Sequence, residues 1–224
     1  MHSNRRALLA HVLPMGCFIA LLAIGQWLPD LGQSFLLRHA EFWIYPLQTI
    51  ACGALLFYFR RSYELTSPRF VAVALLVGAI VFFIWVAPQQ FLGFTPRTIG
   101  FDPTLLRDSH LYSVTVLLRF IRLVVIVPFV EEIFWRAFLL RFLIDENFER
   151  VPFGTFSWTS FAIVTLAFAF SHTRADWPAA LLTGGIYNVV AYRTRRLTSC
   201  IIAHATTNCL LGLWIMQTRQ WGFW

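Results

Sequence analysis

The sequence predicts an all-α fold, a polytopic transmembrane helical bundle of about seven spans, with eight as the alternative. Three observations predict it. Apolar residues make up 58% of the 224-residue chain and charged residues only 13%, whereas soluble domains run to about half and about a quarter. Mean hydropathy is +0.65. The apolar residues gather into runs, and seven spans of roughly 20 residues each fit this length with short connections to spare. These figures exclude a secreted disulfide module, a disordered tail and an ordinary cytosolic enzyme. A single integral membrane domain over 1–224 is expected, with its chemistry concentrated in 111–216.

The first apolar run, 8–28, follows Arg5 and Arg6. It is longer than the apolar region of a signal peptide and lacks a clear small-residue cleavage site, so an uncleaved first span is expected. Further runs cover 42–59, 70–86, 113–143, 159–172, 177–192 and 197–216. Net charge is +7, and all 18 cationic residues are Arg. A nucleic-acid protein would cluster such charge on a solvated face. Here the arginines fall mainly between apolar runs, so the expected partner is a lipid bilayer and not nucleic acid. Alternate connections carry the richer sets: Arg5 and Arg6; Arg60, Arg61 and Arg69; Arg141 and Arg150; Arg193, Arg195 and Arg196. The opposite connections hold Arg38, Arg97, Arg107, Arg174 and Arg219, which places the N-terminus in the cytoplasm.

Several of the nine Trp stand at span edges (Trp27, Trp43, Trp85, Trp177, Trp221, Trp224) and are expected as interfacial anchors. Cys17, Cys52, Cys200 and Cys209 show no metal-type pairing and are expected as small core residues. Pro88, Pro96 and Pro103 punctuate the one long connection, the candidate for a lid or interfacial segment.

Ionisable side chains deep in a span are costly and mark function by default. Four positions draw attention on this ground: Glu131, Glu132, His172 and His204. Within 113–143, Glu131 lies about 27 Å from one end and about 18 Å from the other. Consecutive helical residues point about 100° apart, so the two glutamates need separate roles. Glu132 and Arg136 share a face at i and i+4 and can neutralise each other, which leaves Glu131 as a carboxylate for proton abstraction. The bland alternative is one structural ion cluster. His172 ends the fifth span, where an interfacial residue is the alternative. His204 and Asn208 share a face of the last helix beside Thr207, with an interhelical clasp as the alternative. Thr183, Tyr187 and Asn188 are expected as packing or clasp residues, and Gly184-Gly185 as a site of close helix approach.

Together these groups form a hydrolytic kit. Glu131 would activate water with help from His172, while His204 and Asn208 stabilise a tetrahedral oxyanion on a peptide carbonyl. Alternatively Glu131, His172 and His204 would hold a divalent metal such as zinc. The chain lacks the His-Glu-x-x-His of zincins, a Gly-x-Ser-x-Gly elbow and an isolated central Asp in any span. Rival functions for the same buried groups are a transporter or proton relay, and a non-catalytic scaffold.

The motifs Glu131-Glu132-Ile133-Phe134-Trp135-Arg136, Phe168 to His172 and His204 to Asn208 occur in this order on three spans. In this the sequence resembles the CAAX prenyl protease and bacteriocin-processing family of intramembrane proteases (CPBP, or Abi). Trp43 to Pro46, Ser62 to Leu65, Phe101 to Pro103 and the ending Trp221 to Trp224 resemble a bacterial branch, the CAAX prenyl protease-related proteins linked to exosortase systems. The resemblance implies proteolysis of a membrane-associated peptide or protein in the bacterial cytoplasmic membrane. It implies Glu131 as base, His172 as its partner, His204 and Asn208 at the oxyanion or metal, and Glu132 with Arg136 in support. Because His172 and His204 sit at different heights on their spans, convergence requires tilted, broken or unequal helices, and Pro128 is the expected bend.

Overall fold

An apolar chain in lipid must satisfy its backbone internally, and helices do so within one segment. The computed structural model describes residues 2–95, 97 and 100–224, with side chains from residue 5 onward. Among these residues there is no strand. Helices occupy each predicted apolar run: α1 (His2–Trp27), α2 (Glu41–Tyr58), α3 (Val71–Phe91), α4 (Leu111–Phe142), α5 (Trp158–Phe170), α6 (Trp177–Thr194) and α7 (Leu197–Thr218). By length and composition, four segments qualify as candidate membrane spans: Arg5–Leu31, Val71–Phe91, Leu111–Phe142 and Leu197–Thr218. The chain is a helical membrane protein. Pro96, one of the expected punctuating prolines, lies outside the described residues.

α1 packs along α2, α3 along α7 and α5 along α6, while α4 threads between these pairs and touches most of them. Buried Phe18, Cys52, Val130, Trp135, Phe168 and Cys200 from five helices meet in one apolar core. The opposite faces carry Ile50, Phe57, Leu76 and Phe83, each at least 60% exposed, as a lipid-facing surface requires. At Gly78, a Cβ would stand 2.5 Å from the Ala203 carbonyl oxygen and 2.6 Å from the Thr206 Cβ, so only glycine lets α3 lie this close to α7.

α4 is not a uniform helix. π turns at Arg122–Ile126 and Ile133–Leu139 flank the short α-helical stretch Val127–Glu132. Pro128 explains the first. It has no N–H and its ring crowds the carbonyl four residues back, and widening the preceding turn accommodates both. In that turn the Val127 N–H bonds the Arg122 carbonyl, five residues back. The Leu123 carbonyl thereby loses its α-helical donor, and the donor a π turn would offer it is the proline.

Two anchoring expectations are corrected. Trp85 turns inward, its indole N–H donating to Thr183 Oγ1 at 2.9 Å. Trp224 also faces in, its ring 6.0 Å from both Phe101 and Phe120. Trp27 at 63% and Trp43 at 39% exposed do lie on the surface. Cys52 and Cys200 are core residues as expected, while Cys17 and Cys209 are only half-buried, and all four are free.

Candidate active site

Glu132 is fully buried and Arg136 is 1% exposed. One helical turn apart, they pair at 3.1 Å between Arg136 Nη1 and Glu132 Oε1, as the i, i+4 spacing predicts. The Arg136 guanidinium lies 4.9 Å over the Phe168 ring and 5.4 Å over that of Tyr187. The same Glu132 oxygen accepts from His204 Nδ1 at 2.8 Å. Glu131, about 100° further round α4, has no hydrogen-bond partner for its buried Oε2 among the described residues and lines a cavity of about 810 Å³. Two adjacent carboxylates thus have opposite environments.

His172, His204 and Asn208 line this same cavity. All four residues expected to act catalytically therefore border one space. The height mismatch is resolved by unequal helices. α5 has only 13 residues, about 20 Å of rise against about 30 Å of hydrocarbon. His172 does not end the helix but stands in the turn just beyond it. Its Nδ1 lies 2.8 Å from the Phe168 carbonyl oxygen. A carbonyl only accepts, so Nδ1 carries the proton and a neutral ring leaves Nε2 free to accept. Trp85 and Phe168 hold the ring at centroid distances of 5.4 and 4.8 Å.

Asn208 donates from Nδ2 to the Leu123 carbonyl at 2.8 Å. This is the carbonyl that Pro128 and the π turn orphan, so Asn208 locks α7 to the turn just before Glu131. One amide hydrogen is spent there and one remains. The neighbouring clasps are built as expected. Thr207 donates to the Gly78 carbonyl at 2.8 Å and accepts from the Tyr187 hydroxyl at 2.6 Å. Asn188 donates to Thr165 at 3.0 Å. A Cβ on Gly184 would meet the Phe168 ring at 3.2 Å, which confirms a close approach of α5 and α6.

The alternative set for a metal was Glu131, His172 and His204, which all line this cavity. Among the described residues no three His, Cys, Asp or Glu side chains gather as a metal site. Both imidazoles direct Nδ1 to protein oxygens, Glu132 and the Phe168 carbonyl, which leaves Nε2 of each as the nitrogen open to the cavity.

At the cavity's other end, Thr95 and Arg97 of the long connection, with Gly222, Phe223 and Trp224, form part of the wall. Arg97 pairs with Asp176. Burial lowers the Arg97 pKa and the Asp176 carboxylate works against that shift. Two further cavity residues, Arg119 and Arg122, are 4% and 5% exposed. They were legible in the sequence as ionisable residues inside the run 113–143, the same signal that singled out Glu131.

Residues 113–210 match the family described as Rce1-like, type II CAAX prenyl endopeptidase. No curated protein and no solved structure matches the chain. The match covers all three motifs and stops short of the segments that carry the likeness to the exosortase-linked branch. Residues 113–210, where α4 to α7 converge on Glu131, are thus similar to the Rce1-like family of CAAX-type proteases.

Proposed function

We propose that this protein is an intramembrane endopeptidase that hydrolyses a peptide bond of a membrane-associated protein. It is one membrane domain with its catalytic core in 111–216, and it sits in a bacterial cytoplasmic membrane with the N-terminus inside. The carrying observation is the division of labour between neighbours: Glu132 is tied to Arg136 and His204, while Glu131 faces the cavity without a hydrogen-bond partner among the described residues.

In this mechanism Glu131 takes a proton from a water molecule, and the water oxygen attacks the peptide carbonyl. His172, whose Nε2 accepts, orients that water. The tetrahedral oxyanion is met by the remaining Asn208 amide hydrogen and by His204, which Glu132 holds in place. Collapse of the tetrahedral species expels the amine, which receives the proton carried by Glu131. Arg136 holds Glu132 in position. No step is routed through a metal.

The test is comparative mass spectrometry of membrane proteins from cells with the native protein and with Glu131→Gln. A new peptide terminus that requires Glu131 is expected, with both proteins folded and equally abundant. The same termini in both cells would refute proteolysis. A terminus that persists under chelators would match the donor geometry.

A further inference from the structure

Buried arginines in lipid normally have their N–H groups spoken for, since each unpaired donor or charge is costly. In α4, Arg141 obeys this, and Arg136 does so but for its Nε, which has no acceptor among the described residues. Arg136 bonds Glu132, and Arg141 donates to the Val151 and Ala137 carbonyls and to Glu64. Arg119 does not. It is 4% exposed, and among the described residues its Nε and Nη1 have no hydrogen-bond acceptor. Its surroundings are aromatic instead: the guanidinium carbon lies 4.4 Å over the Tyr45 ring, 5.1 Å over Phe101 and 5.7 Å over Trp224. Such rings stabilise a cation and leave its in-plane N–H groups to be filled by something else.

One turn on, Arg122 lies 4.4 Å over the same Tyr45 ring, and its Nε donates to the buried Gln48. Both guanidinium groups line the cavity that holds Glu131. The described lining carries three arginines, Arg97, Arg119 and Arg122, against two carboxylates, Asp176 and Glu131. Asp176 is taken by Arg97. An excess positive charge with unfilled planar donors fits a carboxylate.

We propose that Arg119, backed by Arg122, is a carboxylate-binding subsite of the cavity. On the premise that the protein cleaves peptides, the substrate presents a carboxylate there about five residues from the bond that is cut. The spacing follows from the helix: Arg119 precedes Glu131 by 12 residues, about 18 Å of rise, and an extended peptide covers about 3.4 Å per residue. The carboxylate comes either from the end of the substrate chain or from an acidic side chain.

Three acetylated six-residue peptides of alternating Ala and Leu separate these sources: one with a free C-terminal carboxylate, one amidated, and one amidated with Glu as its last residue. Binding is measured by thermophoresis on the full-length Glu131→Gln protein in detergent, so that nothing is cut. The free acid, the Glu peptide or both should bind at least about tenfold tighter than the neutral amide. The tighter of the two identifies the source. Adding Arg119→Gln should reduce the preference to less than about twofold, with the affinity of the neutral amide unchanged, and Arg119→Lys should retain part of it. Equal binding of all three peptides, no binding of any, or a preference that survives Arg119→Gln would overturn the subsite. Loss of carboxylate preference alongside intact Glu131-dependent cleavage removes only the subsite. The reverse pattern removes only proteolysis.

Discussion

His204 Nδ1 sits 2.8 Å from Glu132 Oε1, the same oxygen that accepts from Arg136 at 3.1 Å. The buried carboxylate thereby ties α7 to α4 through a three-membered network, and Glu131 is left to the cavity. Truncating Glu132 to Ala strands a fully buried guanidinium and should cost about 3–5 kcal/mol. The expected result is a large fall in melting temperature in detergent. The double variant Glu132→Gln, Arg136→Met should recover a large part of that loss, and an additive double variant would contradict the pairing.

Asn208 fills the carbonyl that Pro128 orphans. Asn208→Ala should therefore cost about 1–3 kcal/mol from the unsatisfied Leu123 carbonyl alone. Pro128→Ala supplies an N–H five residues after Leu123, so in that background Asn208→Ala should cost clearly less. A double-mutant cycle on thermal unfolding measures the coupling. A coupling energy near zero would show that the two residues act independently.

Trp85 braces His172 without donating to it. Trp85→Phe keeps an aromatic ring but loses the bond to Thr183, and the imidazole gains freedom in the cavity. Turnover of a native substrate should fall by about tenfold or more with little change in KM, as for lost orientation of a group used in the transition state. A rise in KM alone would place Trp85 in substrate binding instead.

Gly78→Ala drives a Cβ into the backbone of α7, where a neighbour cannot give way as a flexible side chain does. A loss of about 1–3 kcal/mol is expected from overpacking. Gly16→Ala meets nothing within 4 Å and serves as the control, expected to be neutral or slightly stabilising. Melting curves of the two variants side by side decide it.

The site was legible to the extent that it is local. Glu132 and Arg136 are four residues apart on one helix, so their pairing follows from helical geometry, and the exclusion of Glu131 from that pair follows with it. Pro128 likewise announced a disturbance in α4. The partner of His204 was not legible, because it lies 72 positions away and belongs to helix packing. Arg119 and Arg122 were visible as charges within an apolar run, but nothing local shows that one of them lacks an acceptor.

By itself the sequence determined that this is a helical membrane protein, where its helices lie, and which polar groups are too costly to be buried without a role. These are properties of composition, of a 3.6-residue period and of the price of charge in lipid. Only the tertiary structure decided that His204 serves Glu132, that Asn208 closes the gap left by Pro128, that Trp85 and Trp224 face inward, and that Arg119 Nε and Nη1 have no acceptor among the described residues. Each of those depends on the relative heights and rotations of helices set by close contacts such as that of Gly78 with Ala203, and no single helix encodes them.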